Sequence, residues 1–177
     1  ISLSAATHDT PIAIADLAIV MRAVGDILAH AHARGVVHHR LNETIVIMTP
    51  QRSSPVCVRG WGHVVAHDSL QAPDPAGDIQ ALGALAYRAL LRPPVVPGAL
   101  AQRACPEAPA DLTRLIDDML AEDPHRRPTA IEVGERAVWL AETLVAQRPR
   151  AGVPAFEVVK PNVSRTMTPD VVVRIRG

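Results

Sequence analysis

Residues 78–91 read DIQALGALAYRALL, a stretch that is apolar almost all the way round a helical projection. A helix without a polar face is surrounded by protein on every side. The segment therefore predicts a central post around which the rest of the chain packs. The other helices carry ordinary one-sided stripes. Leu17, Val20, Met21, Val24, Ile27, Leu28 and Ala31 recur at helical spacing, and Gly35 follows Arg34 as a stop, which predicts a long amphipathic helix over residues 14–34. Leu112, Leu115, Ile116, Met119 and Leu120 predict a second, ending near Asp123 and Pro124. Thr129-Ala130-Ile131-Glu132 reads as a capping box opening a last helix to about Gln147, with Ile131, Val138 and Val145 as its buried stripe. Trp139 of that helix is expected in the core, because aromatic residues make up only 2% of the chain. Residues 44–49 and 56–59 are short and β-branched, with Pro and Ser between them, and predict a small hairpin. The fold class expected is mainly α with one hairpin, over residues 1–147. A Pro-, Val- and Thr-rich tail without sustained periodicity follows over 148–177, with a terminal strand as its one candidate element.

Composition excludes several function classes. Lys plus Arg and Asp plus Glu are both 18, so no global basic excess marks a nucleic-acid or anionic-membrane surface. No apolar run approaches the ~18 residues of a membrane span. Cys57 and Cys105 stand far apart in no metal or redox spacing, which favours two reduced thiols and a cytoplasmic setting. The first residue is Ile, and nothing after it resembles a signal peptide, so the chain is expected to be a piece of something longer. His30, His32, His38 and His39 lack the spacing of a metal site and are read as surface or packing residues. Asp117 and Asp118 are adjacent in a helix, diverge, and are read as a solvated face. No cofactor or metal is expected.

The order of long helix, GVVHHRLNETIVIM, short hairpin, apolar post and LTRLIDDMLAEDPHRRPTAIEV resembles the C-terminal lobe of bacterial, eukaryote-like Ser/Thr protein kinases, from Ile1 to about Leu144. The most specific segments are the post with its opening Asp78 and the D-P-x-x-R-P-T run at 123–129. The resemblance implies a kinase C-lobe-like helical domain. The strand-built lobe that carries the Gly-rich loop and the nucleotide-contacting Lys in that family has no counterpart here, since the chain contains neither G-x-G-x-x-G nor a V-A-I-K-like strand.

The family's catalytic loop is H-R-D-L-K-P-x-N-I. Laid without gaps on residues 38–46, it places His39 at the Arg, Arg40 at the catalytic Asp, Asn42 at the Lys and Ile45 at the metal-binding Asn; His38 and Leu41 are retained. A register shifted by one, with the Asp deleted, also removes the acid. An Arg accepts no proton from a substrate hydroxyl. The family's D-F-G falls on Gly60-Trp61-Gly62, so Gly60 stands where a magnesium carboxylate would be, and no Asp or Glu occurs between Ile45 and His67. The resemblance gives architectural roles to the remaining residues. Asp78 is expected to accept from backbone amides of the His38 loop, His38 to pack beneath Trp61, and Arg127 to pair with Asp74 of Ala72-Pro73-Asp74, a shortened A-P-E that weakens the pair.

Lost chemistry beside retained supports makes the expected function that of a catalytically inactive, pseudokinase-like protein-interaction or scaffolding module in bacterial signalling. Its partner would be a protein, such as a Ser/Thr kinase or a phosphothreonine-reading domain. Thr168 in SRTMTPDVV is the candidate phosphosite for such a reader, with Val171 three residues on. Two other readings remain open: a C-lobe fragment of a divergent kinase or nucleotide-binding pseudokinase whose other lobe lies upstream, and a decayed fragment without function.

Overall fold

The computed structural model describes residues 1–8, 12–49, 55–61, 74–91 and 100–146. It is mainly helical with one two-stranded antiparallel sheet. In chain order the elements are α1 (Leu3–Thr7), α2 (Ile14–His32), β1 (Val46–Met48), β2 (Val56–Val58), α3 (Ala76–Leu90), α4 (Ala101–Ala104), α5 (Ala110–Met119), a 3-10 turn (Pro124–Arg126) and α6 (Ala130–Ala146). The tail with Thr168, and Ala72-Pro73, lie outside the described residues.

The apolar post is α3. Ile79, Leu82, Leu85, Ala86, Ala89 and Leu90 are all buried, between α2 on one side and α5 on the other. The helix approaches α5 at Gly83, where a Cβ would stand 2.8 Å from the Cβ of Met119. Helix α2 stops two residues short of the expected end: Gly35, at φ +72°, takes the left-handed turn just beyond it. The hairpin is likewise shorter than its β-branched run. Val46 pairs with Val58, Ile47 with Cys57 and Met48 with Val56, placing the Val and Met side chains inward. Residues 1–2 lie alongside β1, with Met48 N donating to Ile1 O at 2.8 Å, and Leu3 enters the core.

The last helix turns a different face inward from the one expected. Its capping box forms: Thr129 Oγ1 accepts from Glu132 N at 3.3 Å, and Glu132 Oε2 accepts from Thr129 N at 2.7 Å. The buried stripe, however, is Val133, Ala137, Leu140 and Ala141, while Ile131 and Trp139 are 61% and 57% exposed and Val138 is half-buried. The physical reason is the closeness of α2. A Cβ on Gly25 would come within 3.1 Å of Gly134 N and 3.3 Å of Ala130 O, so the two helices meet backbone to backbone through small residues. The point of contact on α6 is therefore made of small residues, Ala130 and Gly134, and of its bulky residues Val133 and Leu140 are buried while Ile131 and Trp139 face outward. The side chain of Val145 lies outside the description.

Among the described residues no helix is long and apolar enough to cross a membrane.

Candidate functional site

The loop between α2 and β1 is built around the carboxylate of Asp78. This side chain is 1% exposed and enters from the first turn of α3. Its Oδ2 accepts from His38 N at 2.7 Å and its Oδ1 from His39 N at 2.8 Å, while His32 Nε2, from the last turn of α2, lies 3.0 Å from Oδ2. Two successive amides converging on one anion form a nest, and its geometry requires an unusual backbone. His39 has φ 62°, the left-handed region that side chains avoid. Burial alone would push the Asp78 carboxyl upward, but the bonds from His32 and from the two amides outweigh it and hold the group below the usual carboxylate range.

His38 is the second support. Its ring is 2% exposed and meets Trp61 edge to face, with centroids 4.8 Å apart, while Trp61 Nε1 donates to Val58 O at 2.9 Å. Both ring nitrogens are used. Nε2 is 2.7 Å from Arg59 O, and Nδ1 accepts from Arg40 N at 3.3 Å, which fits the tautomer with its proton on Nε2. The imidazole thus ties the end of β2 to the loop.

Around this frame stand the positions that the resemblance places at the chemistry. Arg40 and His39 are exposed. Asn42 closes a local turn, accepting from Thr44 N at 2.9 Å and from the Thr44 hydroxyl at 2.6 Å and donating to Arg40 O at 3.0 Å. Ile45 packs against the core. Gly60 has φ +85°, and a Cβ there would stand 3.7 Å from the His38 ring and 4.0 Å from Ile45 Cδ1. The two positions that would carry metal ligands are therefore neighbours, and both are apolar. No cluster of three or more His, Cys, Asp or Glu among the described residues is placed to hold a metal ion.

Asp74 and Arg127 do not form the expected ion pair. Asp74 Oδ1 accepts from Ala76 N at 2.9 Å, a local turn at the start of α3. Arg127 donates to three main-chain carbonyls: Ala121 at 2.8 Å, Ala76 at 3.0 Å and Glu122 at 3.3 Å. The shorter acid is consumed by its own backbone, and the guanidinium fork finds carbonyl acceptors instead. The 3-10 turn is still bound to α3, through peptide oxygens.

Three further roles had no signal in the sequence. His32 becomes a partner of Asp78 only because α2 and α3 pack together, 46 residues apart in the chain. Asp117 and Asp118 do diverge, but neither is simply solvated: Asp117 accepts from Ala101 N at 2.7 Å, capping α4, and Asp118 accepts from Arg136 at 2.8 Å, joining α5 to α6. The cleft that they line with Ala121, Glu122, Asp123 and Arg126 contains none of the loop residues.

Comparison with protein-family models and with curated proteins returns no match for the chain.

Proposed function

We propose that the chain is a catalytically inactive, pseudokinase-like lobe that works as a protein-interaction or scaffolding module in bacterial signalling, in the cytoplasm. The observation carrying this reading is the contrast within one loop. Asp78, His38 and Trp61 hold the loop in a strained shape, with two of its amides bonded to the buried carboxylate, yet Arg40 and Gly60 stand where the resemblance expects a base and a metal ligand. Strain of this kind persists only where surrounding structure over-determines it. His38, rather than His39, lies beneath Trp61, which favours the ungapped register and hence Arg40 at the catalytic position. Phosphoryl transfer depends on positioning and on charge stabilisation by metal, and an arginine beside a glycine offers neither a base nor a ligand. Cys57 and Cys105 are both free thiols, as suits a reducing compartment.

The test is a thermal-shift titration with MgATP alongside a phosphoryl-transfer assay on a generic Ser/Thr substrate. A specific ligand at a hundred times its Kd stabilises by about 2.7 kcal/mol. The expected result is no saturable shift and no transfer; magnesium-dependent stabilisation or labelled substrate would overturn the reading.

A further inference from the structure

The loop differs in charge from the chain that contains it. The chain is neutral overall, yet from Gly35 to Trp61 the single carboxylate is Glu43, and it is taken by Arg88 at 2.8 Å. Arg22, Arg114 and Arg136 likewise face acids, Asp26, Asp111 and Asp118. The guanidiniums of Arg40 and Arg59 face no carboxylate among the described residues, and both side chains are exposed. Their main chains are also held near each other. The amide of Arg40 and the carbonyl of Arg59 bond to opposite nitrogens of the one buried His38 ring, so their main chains are separated by no more than that ring and two hydrogen bonds. His39, fixed in its left-handed conformation by Asp78, is exposed beside Arg40. Gly60 follows Arg59 with no side chain to cover the surface.

Two arginines on a preorganised frame, without a competing acid among the described residues, match a dianion in charge, and the guanidinium fork matches phosphate oxygens in geometry. The open setting suits a group presented on another protein's surface better than a small molecule, which binds in concave pockets. We propose that Arg40 and Arg59, with His39 beside them, bind the phosphate of a phosphorylated Ser or Thr on a partner protein. The site that faces metal and nucleotide in an active kinase would here, with its charge reversed, take the phosphorylated product directly and without magnesium. The inference rests on the proposed reading of this loop as a non-catalytic interaction site and adds the chemistry of the partner.

The test is isothermal titration of the full chain, without magnesium, with an otherwise uncharged Gly-Ala peptide carrying one central phosphothreonine. Its unphosphorylated form, AMP and a short single-stranded DNA are the comparison ligands. The phosphopeptide should bind, the plain peptide should not, and inorganic phosphate should compete where chloride at equal ionic strength does not. Arg40→Ala and Arg59→Ala should each weaken binding roughly tenfold, and the double charge reversal R40E/R59E should abolish it. Both contacts to His38 are made by main-chain atoms, so melting curves of these variants should match the parent. Equal binding of the two peptides, or unchanged affinity in the arginine variants, overturns the proposal. Tighter binding of AMP or DNA than of the phosphopeptide also overturns it, by assigning the arginines to a nucleotide. Phosphoryl transfer from MgATP would instead remove the inactive-lobe reading, whatever the peptides do.

Discussion

Asp78 satisfies two amides and an imidazole at once, so its removal should be felt well beyond one lost contact. Asp78→Ala leaves those donors buried without an acceptor, at an expected cost of roughly 1.5 to 3 kcal/mol, against a few tenths for the exposed Asp111→Ala. Urea denaturation of the two variants checks this. The same carboxyl sets an acid dependence. Its folded pKa lies below the unfolded value of about 3.9, so its stabilisation is fully present above that pH and is lost as pH falls through the folded value. The stability gap between the parent and Asp78→Asn should therefore be wide at neutral pH and narrow as pH falls below the unfolded value and through the lower folded one. His39 offers a second residue-level test. Its φ of 62° costs a side-chain-bearing residue on the order of 1 kcal/mol, partly offset in a glycine variant by unfolded-state entropy. His39→Gly should hold or slightly raise the urea midpoint, whereas His39→Val, β-branched in the same conformation, should lower stability by roughly 1 to 2 kcal/mol.

Between elements, the contacts that matter were set by size and reach. Arg127 spans three carbonyls belonging to the chain before the 3-10 turn and to the start of α3. A lysine carries the charge without the fork. Arg127→Lys should therefore still lose roughly 1 to 2 kcal/mol in chemical denaturation, where a simple surface charge would tolerate the change. At Gly83 two effects oppose each other. Alanine favours helix by about 1 kcal/mol, but its Cβ would stand 2.8 Å from that of buried Met119, and overpacking costs roughly 1 to 3 kcal/mol. Packing wins, and Gly83→Ala should lower Tm. Gly134→Ala is the contrast: its Cβ would press on Asp26 Oδ1 at the end of an exposed side chain that can swing away, so the change should be close to neutral. Glycine is a poor helix former, yet Gly83 and Gly134 both sit inside otherwise regular helices. That they are points of close approach depends on which helices meet there.

At the scale of the whole molecule, local periodicity was enough for the order and type of the four longer helices and the hairpin, because each rests on interactions within a few residues, while the short helices α1 and α4 and the 3-10 turn left no such signal. The largely apolar run 78–91 forms a helix that buries most of its length, although Gln80 and Arg88 reach solvent where full enclosure was expected. The capping box at Thr129 closes over three residues, and the β-branched segments flanking residues 50–55 are close enough to pair. Residue type alone likewise settles that Arg40 accepts no proton and that Gly60 carries no carboxylate, since no tertiary contact changes either. What the sequence could not decide was how elements distant along the chain meet. A hydrophobic stripe marks one face of a helix but not how closely its neighbour comes, and backbone contact between α2 and α6 is what buried Ala137 and left Trp139 in solvent. The partnership of His32 with Asp78, the turning of Arg127 from an acid to carbonyls, and the bracketing of Arg40 and Arg59 on one imidazole all join segments separated in sequence. Such contacts depend on direction and distance between helices and strands, which residue type and spacing do not encode locally and which only the packed tertiary structure supplies.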